Sequence, residues 1–269
     1  MGSGVRVPLW YRPSLDLPEV VLVTSIKLND CQAVDQAILG DPARLATLAG
    51  QTFVVDLGYY SHERFMRLRA AGVHLVTRRH PQATVTVEAE QPIQPPLPAS
   101  AGGRIAVVAD QRITLGSPNN RAGAVLPGLR LVTADVLPLA KTGHRTPTPR
   151  RYEILTDRWD LTAAEVVQVY LWRWQIELFL RWLKGHLHLP RLLGYSENAV
   201  LLSVWQAILV HLLTLLAARA LGLGRRSPLL LCRLAAALQH LDPARDSVRP
   251  TAPAQHPLPG FDLPLLSPT

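Results

Sequence analysis

Apolar residues in this chain recur in two rhythms, and the places where one gives way to the other predict its elements. Val20–Thr24 reads VVLVT, a β-favouring run that predicts a strand leaving through a loop over Lys27–Asp30. Cys31–Leu39 and Pro42–Leu48 then predict helices, interrupted near Gly40. QTFVVDLGYYSHERFMRLRAAGVHLVTRR predicts a short strand ending at Asp56, a helix with Ser61 as N-cap, and a strand over Val73–Thr77. This alternation is an α/β rhythm.

From His80 to Arg151 the pattern becomes strand-like. QPIQPPLPASAGG is a proline- and glycine-rich connector, IAVVAD and LRLVTAD predict strands, and KTGHRTPTPRR is a basic loop. Glu153–Thr156 predicts one more strand, and Thr162 with Glu165 three residues on has the spacing of a capping box. The chain is thereby expected to divide into residues 14–79, a β-rich insertion over 80–151, a helical part over 152–240 and a proline-dense mobile tail over 241–269.

Between Tyr170 and Lys184, YLWRWQIELFLRWLK predicts a single helix. At about 100° per residue, Tyr170, Arg173, Glu177, Arg181 and Lys184 share an arc of roughly 80°. Nearly all other positions there are apolar, so this helix is expected to be buried on most sides with its polar stripe facing a cleft. A lone carboxylate in such a place is costly to desolvate. Glu177 is therefore either the anion of an ion-pair network with Arg173, Arg181 and Lys184, or a functional ligand. Asp56, at the end of a strand, is either a turn-capping residue or a second ligand at the mouth of the sheet.

Val200–Ala218 carries no formal charge and is long enough to span a bilayer. With Gln206 and His211 in its middle and Ser196 as a cap before it, a buried core helix is the expected outcome. A last helix is predicted within RRSPLLLCRLAAALQHL.

Charge narrows the possible partners. The 269 residues carry a formal net charge of +8, which favours a polyanion. Only two cysteines occur, Cys31 and Cys232, which argues against a disulfide scaffold or a cysteine-rich zinc module. The N-terminal MGSGVRVPLWYRPSLD lacks an export signal, so the cytoplasm is the expected compartment.

Tyr170, Arg173, Glu177 and Lys184 stand at the spacing of the Y-R-E-K signature, and together with the LLGYSENAV that follows they resemble DDE transposases of the bacterial insertion-sequence superfamily, of the IS4-like kind. VVDLGYYSHERFMRLRAAGVHLVTRR is similar to the segment around that family's second catalytic aspartate, here Asp56. The likeness runs from about residue 14 to residue 215. It implies an α/β fold, a ribonuclease-H-like mixed sheet with flanking helices and a β-rich insertion. It also implies two magnesium ions, or manganese, held by Asp56 and Glu177, with Tyr170, Arg173, Arg181 and Lys184 on DNA. The implied activity is cutting at transposon ends and joining the freed ends to target double-stranded DNA, in a nucleoid-associated homodimer without a membrane.

One element of the pattern is not found. The family's first aspartate belongs on the first strand, and Met1–Pro13 contains none. Asp16 fits the turn between the second and third strands better, and Asn29 with Asp30 resembles a polar pair after the third. The chain is accordingly expected to lack the first strand, with weak metal binding and no strand transfer as the consequence. An inactive DNA-binding protein or transposition inhibitor is the alternative expectation.

Overall fold

The computed structural model describes residues 5–6, 8–13, 15, 17–22, 24–25, 30–93, 104–118, 125–137, 148–186 and 197–220. In chain order the strands before the first helix are β1 (Val5–Arg6), β2 (Leu9–Arg12), β3 (Leu17–Val21) and β4 (Thr24–Ser25). They are followed by α1 (Asp30–Val34), α2 (Pro42–Thr47), β5 (Thr52–Val54), α3 (His62–Ala70) and β6 (His74–Arg78). Next come β7 (Val85–Glu90), β8 (Arg104–Leu115), β9 (Leu126–Leu137) and β10 (Arg150–Thr156). The helices α4 (Ala163–Trp172), α5 (Trp174–His186) and α6 (Glu197–Ala220) complete the described elements.

Contacts divide the described residues into two compact units, one within Leu28–Arg173 and the other made of those before Leu28 and those from Trp174 on. The first is built on a six-stranded sheet ordered β5-β6-β10-β9-β8-β7. Only β5 and β6 are parallel, joined through α3, and every other neighbour pair is antiparallel. A parallel neighbour requires a crossover, and the local sequence supplies one. Ser61 caps α3 by accepting from the Arg64 N–H at 3.3 Å, and Gly72, at φ 72°, takes the left-handed turn into β6. Before it, α1 runs into a π-helical turn, Asp35–Leu39, that stops at Gly40. A Cβ on Gly40 would lie 2.7 Å from the Gln36 carbonyl oxygen, so that approach needs glycine.

Val76, Val132, Ala134 and Ile154 from four positions on the sheet pack with Val166, Val167 and Tyr170 of α4. Full burial of a valine or isoleucine stabilises by about 1.5–3 kcal/mol. The Thr162 capping box starts α4, its hydroxyl accepting from Glu165 N at 3.2 Å while the Glu165 carboxylate accepts from Thr162 N at 2.7 Å. Arg130 and Asp110 form a bidentate pair at 2.9 and 2.7 Å with side chains only 6% and 5% exposed. Arg130 also donates to the carbonyls of Arg158 and Leu161, which ties β9 to the loop that feeds α4. A mixed sheet flanked by helices is the ribonuclease-H-like arrangement that was expected.

In the other unit, β2 and β3 form an antiparallel hairpin, and β1 pairs with β4. Tyr11 of the hairpin stacks on Phe179 of α5 with ring centroids 5.1 Å apart, and Phe179 meets His211 of α6 edge-on at 4.8 Å.

Within residues 80–151, β7, β8 and β9 extend the same sheet outward from β10. Three expectations change in detail. The run Val20–Thr24 is not one strand: pairing with β2 stops at Val21, opposite Leu9, and Thr24–Ser25 pairs elsewhere. The helix over Tyr170–Lys184 is divided at Arg173, whose N–H turns from the i−4 carbonyl to that of Tyr170 at 3.1 Å, tightening the last turn of α4. Helix α6 is not the buried core helix expected of Val200–Ala218. Its segment Asn198–Ala217 has a mean hydropathy of 2.1, long and apolar enough to cross a bilayer, yet only 33% of it is buried. Its apolar residues continue round the whole circumference, whereas β2 and α5 pack on one side of it.

Asp16, Asn29, the cap at Ser196, the predicted last helix, the segment from Asp242 and the side chains of Asp30 and Lys184 lie outside the described residues.

Candidate functional site

Asp56 stands two residues beyond the end of β5, where the chain leaves the sheet. It caps the short 3-10 turn Leu57–Tyr59, Oδ1 accepting from the Leu57 N–H at 2.8 Å. Its other oxygen points to Arg173, whose Nη1 is 4.0 Å from Oδ2, and the carboxylate remains 53% exposed. The capping role and an outward-facing carboxylate thus coexist in one residue.

Arg173 is placed by α4, which runs under the sheet and ends beside Asp56. Its guanidinium lies over the ring of Tyr170, 5.9 Å from the centroid. Tyr170 is buried, and burial pushes its phenol pKa up; Arg173 and Arg78 oppose that shift, and the Asp56 charge adds to it. Tyr170 meets Tyr152 at a centroid distance of 6.1 Å, and the exposed Arg78 lies 5.6 Å over Tyr152. Arg79, the next residue after Arg78, donates to Glu153 at 2.7 and 3.0 Å, and the Tyr60 hydroxyl is 3.1 Å from His62 Nε2.

The sequence singled out Asp56, Tyr170 and Arg173, and the fold brings these three together. Arg78 and Tyr152 join them without having been singled out. Their signal was present as the Arg-Arg pair closing LVTRR and the Arg-Arg-Tyr opening β10, but only antiparallel pairing of β10 with β6 makes them neighbours. Glu177 and Arg181 belong to α5, in the other unit, where Glu177 is half-buried and Arg181 exposed. The Lys184 side chain is among those not described.

Such a cluster suits a phosphate backbone. Arg78 and Arg173 present guanidinium forks, each held against an aromatic ring, which limits the side-chain entropy lost on gripping an anion. The Asp56 carboxylate would repel that same anion unless a cation stood between them. As a donor for a hard divalent ion Asp56 fits, being an exposed carboxylate with one oxygen not used in the cap. Among the described residues, however, no group of three or more His, Cys, Asp or Glu side chains stands together. The donor set for two ions is therefore incomplete within the described residues.

Comparison with known proteins identifies the chain's family. A family model for the transposase DDE domain matches residues 4–213. The chain belongs to that family. Among its relatives is a protein of Sinorhizobium fredii described as transposase y4zB, 26% identical over 216 residues, covering 80% of this chain and 54% of the relative. Another is described as a probable transposase for insertion sequence element IS5377 of Geobacillus stearothermophilus, 25% identical over 211 residues and covering 78% and 48%. A third, described as a transposase for insertion sequence element IS4SA of Synechocystis, is 38% identical over 53 residues, 20% of this chain and 16% of the relative. The chain spans about half the length of the first two. For the DDE family member described here, Asp56 and Arg173 both fall inside the matched region, as does Glu177.

Proposed function

We propose that this DDE-family chain is the DNA-processing core of a cytoplasmic, nucleoid-associated transposase, acting on the double-stranded ends of a mobile element and on target DNA. Asp56 and Glu177 are the carboxylates of its reaction centre. Tyr170, Arg173, Arg181 and Lys184 hold the DNA. The observation that carries the reading is the contact of Asp56 with Arg173 over Tyr170, where an acid meets the DNA-gripping cation at the end of a sheet strand. Glu177 follows Arg173 by four residues, a span of at most about 14 Å even for a fully extended chain.

In this reading Arg173 and Arg78 bind scissile and flanking phosphates, and the ring of Tyr170 fixes the plane of the Arg173 guanidinium. Asp56, anchored by its cap bond to Leu57, stays at a fixed point on the sheet edge while α5 carries Glu177. Magnesium, the hard cation that two such carboxylates would hold, would activate the attacking oxygen and stabilise the leaving one.

A second reading has a specific observation in its favour. Among the described residues no group of three or more His, Cys, Asp or Glu side chains stands together, which suits a DNA-binding protein or transposition inhibitor without its own strand transfer. The two part in one experiment. Duplexes carrying the terminal repeats of the encoding element are incubated with the chain, with and without magnesium. Magnesium-dependent nicking and joining, lost in Asp56→Ala and in Glu177→Ala, supports the first reading. Binding that needs no magnesium and weakens steeply with salt, with no nicking, supports the second. Robust joining by both alanine variants would refute the assigned carboxylates.

A further inference from the structure

A second convergence of arginines lies apart from Asp56, around Gly128 of β9, and every residue in it belongs to the unit that holds the six-stranded sheet. Arg112 and Arg130 are cross-strand partners on β8 and β9, so their side chains leave the same face of the sheet. Both guanidiniums reach the ring of Trp159, at 5.5 and 5.3 Å from its centroid, and the indole N–H donates to the Gly128 carbonyl at 3.3 Å. From α3, Arg69 arrives at the same place and donates to the Pro127 carbonyl at 2.7 Å. A Cβ at Gly128 would lie 3.4 Å from Arg112 Nη2 and 3.8 Å from Arg69 Nη2. The lack of a side chain is what lets the two cations converge there.

The three arginines differ in what neutralises them. Arg130 is buried and committed to Asp110. Arg112 is 54% exposed, with Glu88 3.4 Å from its Nε while its Nη2 faces Gly128. Arg69 is exposed and, among the described residues, has no carboxylate partner. Two guanidiniums that share one carboxylate repel each other, and an anion between them removes the repulsion. The Trp159 ring and the Pro127 carbonyl hold the two forks in place, which limits the freedom lost when they close on a phosphate.

We propose that Arg69 and Arg112 form a second phosphate-binding site, which takes a backbone phosphate of duplex DNA away from the reaction centre. In the sheet order β9 stands three strands from β5, which at about 4.8 Å per strand puts this contact about 14 Å or more from Asp56. A duplex carries a charge about every 1.7 Å of its axis, so one that passes from Asp56 to Gly128 presents phosphates at both. The site rests on the reading of this chain as a DNA-processing protein and takes no part in the chemistry at Asp56.

The test is the salt dependence of duplex binding by the whole chain in buffer without magnesium. Arg69→Gln and Arg112→Gln are each expected to lower the slope of log affinity against log salt by about 1. Arg67→Gln removes the same charge from the same helix, but Arg67 donates to the Leu39 carbonyl, and the slope is expected to stay as in the parent. Glu88→Gln is expected to tighten binding. Arg69→Lys and Arg112→Lys, which keep the charge and lose the fork, should keep the slope and bind several-fold more weakly. Unchanged slopes in both glutamine variants, with Arg173→Ala still lowering the slope, would overturn this site alone. A drop in Arg67→Gln equal to that in Arg69→Gln would reduce it to diffuse charge. Inorganic phosphate bound through Arg69 and Arg112, with duplex binding indifferent to both, would make it a site for a free anion. A parent chain that does not bind duplex would overturn the site and the DNA reading together.

Discussion

Tyr60 sits beside the candidate site with its ring packed edge-on to Phe65 at 5.1 Å, and burial pushes its phenol up to about 12, with Arg79 opposing the rise. A tyrosine in the unfolded chain ionises near pH ~10. Between those values the folded state keeps a proton that the unfolded state has lost, so the contribution to stability is fully present below pH ~10 and is lost as pH rises toward ~12. Tyr60→Phe is therefore expected to flatten the fall in stability over that interval. Tyrosinate absorbance should show late-titrating tyrosines in the parent chain, Tyr60 and Tyr170 among them, and one fewer in the variant. Elsewhere in the unit, Asp110→Ala would leave the Arg130 guanidinium buried without its carboxylate. That change is expected to cost about 3–5 kcal/mol, read from the midpoint of urea unfolding, and the paired change Asp110→Val with Arg130→Met should recover much of it. Asp56 was legible in the sequence because an acid directly after an apolar run marks a strand end. Arg78 and Tyr152 were not, since their proximity is created by strands 74 residues apart in the Arg79–Glu153 sense and no local spacing encodes it.

The helices obeyed their local chemistry wherever a cap fixed them. Ser61 and the Thr162–Glu165 box begin α3 and α4 as their residue types require. Thr162→Ala should cost about 1 kcal/mol, detectable as a lower thermal midpoint, and should loosen Arg173 at the far end of α4 only through stability. Burial was harder to read than helicity. Periodicity placed Tyr170, Arg173 and Glu177 on one stripe, but the hydrogen-bond shift at Arg173 breaks that stripe between two helices. Likewise α6 is apolar all round, a composition that fits a core helix or a membrane span equally well. Only the positions of β2 and α5 against it reveal which side is covered.

At the scale of the whole molecule, the positive charge and the DDE family membership point the same way, toward a partner rich in phosphate. Removing one phosphate contact by Arg173→Ala is expected to lower the slope of log affinity against log salt by about 1 and to weaken binding to all duplex sequences alike. A variant that kept the slope but changed sequence preference would assign Arg173 to base reading instead. The central claim is that Asp56 and Glu177 serve one acidic centre. Manganese binding by the whole chain tests it most directly, compared among the parent, Asp56→Asn, Glu177→Gln and the double variant. Loss of the same site in either single variant, with no further loss in the double, is the expected result; manganese affinity unchanged by both substitutions would contradict it.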